Sequence, residues 1–190
     1  MKCIVVTRPD FFEGEAAAIE AMLASGVIDR VHLRKPGAQE CSVRRLIEAV
    51  SPSLRSRLSL HDCHALAAEY GAGIHLNARN SVLPPDFSGI VSRSCHSIHD
   101  AMAPAHYRFL SPVFNSISKP GYQAAFNLEE LVGKVDDSFV ALGGVVPERL
   151  PMLDLIGFGG AAFLGYIWDG NLNEKLENVA VYNSQTRAVR

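Results

Sequence analysis

The 190-residue chain lacks most of the features that announce a function class at once. Its four cysteines, Cys3, Cys41, Cys63 and Cys95, are scattered and form no C-x-x-C pair, which leaves zinc-ribbon and thioredoxin chemistry without support. A chain of this length buries a core without cross-links, so a disulfide scaffold is not expected either. Net charge is only −2 and no basic stripe runs along the sequence, which argues against a nucleic-acid partner. The longest uncharged stretch, residues 155–168, is too short and too glycine-rich for a membrane span. Met1-Lys2 runs straight into the strand-like CIVVT rather than a signal peptide, and a cytoplasmic location is the expectation. The phosphate signatures G-x-G-x-x-G and G-x-x-x-x-G-K-[ST] are both absent.

What is present is a regular alternation. Eight short β-like runs occur at 2–7, 30–33, 57–60, 73–76, 89–94, 107–110, 138–142 and 161–165. Most are apolar nearly throughout, the pattern of parallel strands covered on both faces. Helical spacing lies between them. Val43, Leu46, Ile47 and Val50 follow i, i+3, i+4, i+7, as do Leu128, Leu131, Val132 and Val135, with Asn127 placed to cap the latter. Residues 13–24 and 63–70 are alanine-rich, and Leu172, Leu176 and Val179 suggest a closing helix. The crossovers at 80–88 and 97–106 are weak, the first because of Pro84-Pro85. The expected fold is a small α/β (β/α)8 TIM barrel with some short or missing crossover helices, forming one domain over 1–190. An open doubly wound sheet is the rival arrangement.

Unusual polar residues fall just after the strands. Arg34 and Lys35 follow the second, His61 and Asp62 the third, and Asn77 and Asn80 the fourth. Ser94 and His96 close the fifth, and Ser116, Ser118 and Lys119 follow the sixth. Gly143-Gly144 follow the seventh and Gly165 ends the eighth. In a barrel all these positions share one mouth, where such folds keep their chemistry. Taken singly, each has a plainer reading as turn or solvated loop. The contiguous HDCH at 61–64 is not expected to be a four-ligand zinc site, because neighbouring side chains at a strand end diverge. Cys95-His96 is not expected to form a dyad for the same reason, and His64 and His99 are expected on helix surfaces. Together the cations, hydroxyls and glycines suit phosphoryl oxygens. Asp62 is a candidate Mg2+ ligand.

With these residues placed, the chain resembles the thiamine phosphate synthase family. VHLRKPG resembles its Q-x-R-x-K segment, and LSLHDCHALAAEYGAGIHLNARN its N-D-R…G-x-H-L-G-Q-E-D stretch. SRSCHS is similar to G-x-S-x-H-S, SPVFNSISK to G-P-V-F-P-T-x-T-K, VALGGVVPERL to A-I-G-G-I, and GGAAFLGYIW to the closing G-V-A-V-x-x-A-I. The resemblance implies a transferase joining hydroxymethylpyrimidine diphosphate to thiazole phosphate, with release of diphosphate, in thiamine biosynthesis. It implies that Arg34, Lys35, His61, Ser116, Ser118 and Lys119 hold the diphosphate. Asp62 and Asn80 would hold Mg2+, Ser94 would sit by the leaving group and pyrimidine, and Gly144 and Gly165 would bind the thiazole phosphate, with His96, Gly143 and Leu164 as further substrate-binding positions. Arg34, Ser94 and Lys119 are the expected catalytic groups. Phosphorylated small molecules are the expected partners, and a homodimer the expected assembly by analogy.

The chain departs from the family pattern in places. Asn80 stands where the second acidic metal ligand falls, His61 where the family has Asn, and His32 where it has Gln; one residue is missing between Arg34 and Lys35. A related branch, the thiazole tautomerases, resembles the family but with a catalytic histidine where this chain has Pro112. A tautomerase-like isomerase and a non-catalytic thiamine phosphate binder are the alternative functions.

Overall fold

The computed structural model describes residues 1–98, 100, 103–115 and 123–186. Eight strands close into a barrel in sequence order: β1 (Lys2–Val6), β2 (Arg30–Leu33), β3 (Leu58–Leu60), β4 (Gly73–Leu76), β5 (Val91–Cys95), β6 (Tyr107–Leu110), β7 (Phe139–Ala141) and β8 (Gly160–Phe163). Every neighbouring pair is parallel, including β1 with β8. All eight C-terminal ends therefore open on one face.

Alternation along the strands creates two cores. Outward residues such as Cys3, Val5, Val31, Leu33, Leu58, Leu60, Ile74, Ala161 and Phe163 are buried under the helices. Those helices are α1 (Glu15–Ala24), α2 (Glu40–Glu48), α3 (Ala65–Tyr70), α4 (Leu128–Leu131), α5 (Leu150–Ile156) and α6 (Leu172–Thr186). Their apolar stripes do the covering: Ile19, Met22 and Leu23 on α1, Val43, Leu46 and Ile47 on α2, Leu176 and Val179 on α6.

Inward residues fill the barrel itself, and here the interior divides. Ile4, Val6, Tyr107, Phe109, Val140 and Ala162 form one apolar cluster from β1, β6, β7 and β8. The opposite half, from β2 to β5, is lined by His32, Ser59, His75 and Ser92, all fully buried. Gly73 completes that half, since a Cβ there would lie 2.8 Å from Ser59 Oγ and 2.9 Å from the Ile90 carbonyl. Polar side chains in a dry interior are tolerable only when hydrogen-bonded, and these are.

Three helical features differ from the spacing. The helix after residue 127 lasts one turn, with Asn127 Oδ1 accepting from Glu129 N–H at 3.1 Å, because Gly133 at φ 73 ends any continuation. α5 carries Pro in its first turn, where a missing N–H costs nothing, and so escapes a reading that treats proline as a breaker. His64, expected on a helix surface, precedes α3 half-buried with its Nε2 shut away from solvent. The crossover after β4 holds no helix, and the described residues of the crossover after β5 hold no α-helix. Among the described residues no helix is long and apolar enough to cross a membrane.

Candidate active site

At the mouth, the ends of β3 and β4 are stitched together. Asn77 N–H donates to the Asn80 carbonyl at 3.0 Å and Asn80 N–H returns to the Asn77 carbonyl at 3.1 Å. Both side-chain amides then donate to the His61 carbonyl, at 3.1 Å from Asn77 Nδ2 and 3.0 Å from Asn80 Nδ2. Asn80 Nδ2 also donates to Asp62 Oδ1 at 2.9 Å, and the Arg79 guanidinium lies 3.5 Å from the same oxygen. The other Asp62 oxygen, Oδ2, is buried without a hydrogen-bond partner. A carboxylate oxygen left so is a cost unless a ligand completes it.

Oxygen donors are what Mg2+ requires, and it is commonly held by one or two carboxylates together with substrate phosphates. Asp62 fits such a role. Asn80 does not fit as it stands: both of its amide contacts are to acceptors, which fixes Nδ2 rather than the amide oxygen toward Asp62. As placed, Asn80 is a donor that orients Asp62, where the sequence reading made it a metal ligand.

Arg34 is held by its backbone, whose N–H donates to Thr7 Oγ1 at 2.9 Å. Burial, then the neighbouring His75 and His32, and to a lesser extent Arg34 and Arg79, hold the His61 imidazole neutral. Arg79 was not among the expected site residues; its position between the two rim asparagines was the available signal.

Lys35, expected at the diphosphate, is engaged elsewhere. Its ammonium donates to Glu15 Oε1 at 2.7 Å, Asp10 O at 2.7 Å and Arg8 O at 2.9 Å, and it sits over the Phe11 ring. All three N–H groups are committed to the loop after β1 and the first residue of α1, so as placed none is offered to a diphosphate. The same holds for the His61 side chain, which turns into the barrel rather than toward the mouth. Its Nε2 shares a 3.0 Å hydrogen bond with His32 Nδ1.

Below the mouth the polar half of the barrel is continuous. His32 Nε2 pairs with Tyr107 Oη at 2.6 Å. His75 Nδ1 pairs with Ser92 Oγ at 2.9 Å and its Nε2 with Ser94 Oγ at 2.8 Å. Ser94, expected beside the leaving group, is thus tied to His75. Burial is the largest cause holding all three rings neutral; His75 is pushed down to about 3, and His32 and His61 well below the ordinary imidazole value. His32 and His75 had no assigned role because they look like strand interior in VHL and GIHL.

On the far side of the mouth, Gly143 and Gly144 adopt φ 95 and 62. A Cβ on Gly144 would overlap the Asn115 carbonyl oxygen, so glycine is required by the close approach of the β6 and β7 loops. Phe114 N–H donates to Gly143 O at 3.1 Å, and Arg149 Nη1 to Gly144 O at 2.8 Å, closing that contact. Leu164 and Gly165 follow β8 directly, in a turn rather than a helix. His96 lies exposed on the rim, its Nδ1 3.0 Å from Ser111 O. Ser116, Ser118, Lys119 and His99 lie outside the described residues.

The family model described as thiamine monophosphate synthase matches residues 3–167. A thiamine phosphate pyrophosphorylase from Bacteroides thetaiotaomicron is 32% identical over 100% of this chain and 99% of its own, with a TM-score of 0.84. One from Pyrococcus furiosus is 18% identical over 97% of this chain and 96% of its own, with a TM-score of 0.80. The barrel itself is more widely shared: 3-hexulose-6-phosphate synthase from Salmonella typhimurium superposes with a TM-score of 0.67 at 11% identity, covering 98% of this chain and 100% of its own.

Proposed function

The chain belongs to the thiamine monophosphate synthase family, and from that premise we propose that it joins hydroxymethylpyrimidine diphosphate to thiazole phosphate, releasing diphosphate and forming thiamine phosphate. The observation that carries the reading from family to chemistry is Asp62. It presents a buried, unpartnered carboxylate oxygen at the barrel mouth, next to Arg79.

Departure of diphosphate leaves a cationic pyrimidine methylene and places negative charge on oxygen. The protein's work is to stabilise that charge and to position the thiazole nitrogen. Arg34 and Arg79 supply guanidinium forks suited to phosphate oxygens. Asp62 would hold Mg2+, whose charge neutralises phosphate oxygens when bound. Ser94, oriented by His75, would face the leaving group, and the glycine backbone after β7 and β8 would bind the thiazole phosphate. Ser116, Ser118 and Lys119 complete the diphosphate clamp by resemblance. Lys35 is assigned instead to holding the loop that precedes α1.

Purified protein with Mg2+ and both phosphorylated precursors should release stoichiometric diphosphate and thiamine phosphate. Absence of both products sinks the reading. A second reading, a binder of thiamine phosphates without turnover, is favoured by one observation: Asn80 in place of an acid, with its amide committed to Asp62. Thiamine phosphate binding without any turnover would establish that reading over the first.

A further inference from the structure

Three imidazoles meet inside the barrel, one each from β2, the end of β3 and β4. One ligating nitrogen from each of His32, His61 and His75 falls within 4.8 Å of the others. We propose that these three residues bind one transition-metal ion of the zinc–cobalt class, at a site separate from the oxygen-lined Mg2+ position at Asp62. Imidazole nitrogen selects such ions, whereas Mg2+ selects oxygen.

The surroundings have the form that metal-binding histidines require, in which the distal ring nitrogen is anchored so that the other is aimed inward. His32 Nε2 is held by Tyr107 Oη at 2.6 Å, leaving Nδ1 for an ion. Ser92 Oγ donates to the Ile74 carbonyl at 3.1 Å, so it accepts the Nδ1–H of His75, and His75 Nε2 is left as a lone pair. The 3.0 Å between His32 Nδ1 and His61 Nε2 is a hydrogen-bond distance, and it need widen only to about 3.3–3.4 Å for both nitrogens to share one tetrahedral ion at ~2.0–2.1 Å bond length. Ser94 Oγ, 2.8 Å from His75 Nε2, is within reach as an oxygen donor.

Loading needs the Ser94 hydroxyl to release His75 Nε2, to which it donates at 2.8 Å, and one ring to turn. The His61 and His75 rings are stacked, with centroids 4.0 Å apart and planes at 20°. An ion lies in the plane of each ring that binds it, so one ring must turn. His61, 6% exposed against 0% for the other two, is the ring with room to do so. The turn exchanges its proton from Nε2 to Nδ1 and replaces the His32–His61 hydrogen bond by two metal bonds; no net proton is lost.

The experiment is a Co2+ titration of the chelator-stripped full chain in excess Mg2+, followed by visible absorption. The expected result is one Co2+ per chain with ligand-field bands of a tetrahedral nitrogen–oxygen site, bleached by Zn2+. His32→Gln and His75→Asn should each lower Co2+ affinity at least tenfold. Tyr107→Phe, which removes only the anchor, should lower it about 10- to 100-fold. The proposal is overturned if the unmodified chain shows no such bands, if a thiolate charge-transfer band reveals binding at Cys63, or if the folded double variant His32→Gln/His75→Asn binds as well as the unmodified chain. Absorption of the unmodified protein decides the matter even where a variant fails to fold.

Discussion

Lys35 Nζ lies 2.7 Å from Glu15 Oε1, and both side chains are almost wholly buried, at 1% and 2% exposure. The pair joins the residue just past β2 to the first turn of α1, and the Arg8 and Asp10 carbonyls complete the ammonium's shell. Desolvation by burial is the largest influence on Glu15 and raises its pKa despite the lysine beside it. Removing one partner of such a pair strands the other charge. Lys35→Met alone should cost about 3–5 kcal/mol in urea unfolding, whereas Glu15→Leu/Lys35→Met together should recover most of that loss. The double variant should keep its Michaelis constant for the diphosphate substrate within a few-fold. A large rise there in a stable double variant would return Lys35 to the substrate.

The buried histidines make an acid-sensitive core. Each has a folded-state pKa depressed below its unfolded value of about 6.5, with His75 near 3. Their stabilising contribution is complete above the unfolded value and is lost as pH falls toward the folded one. The unfolded chain takes up protons that the fold refuses. Below about pH 6 each neutral ring should cost about 1.4 kcal/mol per pH unit. Urea midpoints measured from pH 7 to 4.5 should fall steeply in the unmodified protein and less steeply in His75→Asn. Equal slopes would mean that His75 carries its proton in the fold.

Asn80 donates to Asp62 Oδ1 at 2.9 Å. Asn80→Asp replaces that charge-assisted bond by two facing carboxylates. Without divalent metal the variant should lose about 1.5–3 kcal/mol of stability. With Mg2+ it should regain stability and bind the ion more tightly than the parent. Thermal melts with and without Mg2+ test this, and a variant indifferent to Mg2+ in both respects would remove Asp62 from the metal's neighbourhood.

Gly144 sits at φ 62 against the Asn115 carbonyl. Gly144→Ala adds about 1–2 kcal/mol of backbone cost and forces the β6 and β7 loops apart. Turnover should fall more than the melting temperature, because those loops bound the mouth while the barrel below them is unaltered. Full activity in the alanine variant would show that the loops need no such contact.

Much of the architecture was legible because it is written locally. Strand boundaries such as 30–33, 73–76 and 107–110 coincide with β2, β4 and β6, since an apolar run bounded by turn residues needs no distant information. α5 escaped because Pro147 and Pro151 resemble breakers, although both stand where helix starts accept them. At the mouth, Asp62 and Asn80 were marked by position and do meet. Arg79 was passed over because an arginine in a turn is ordinary in sequence.

The sequence by itself determined that eight successive strands would place polar residues at their ends, because alternation and strand polarity are properties of neighbouring residues. Only the closed barrel decided where those side chains point. Lys35, adjacent in sequence to Arg34, turns to Glu15 because burial leaves an ammonium no alternative to a full set of acceptors. His32, His61 and His75 come together because closure brings the inward positions of β2, β3 and β4 side by side, a proximity set by strand register and invisible along the chain.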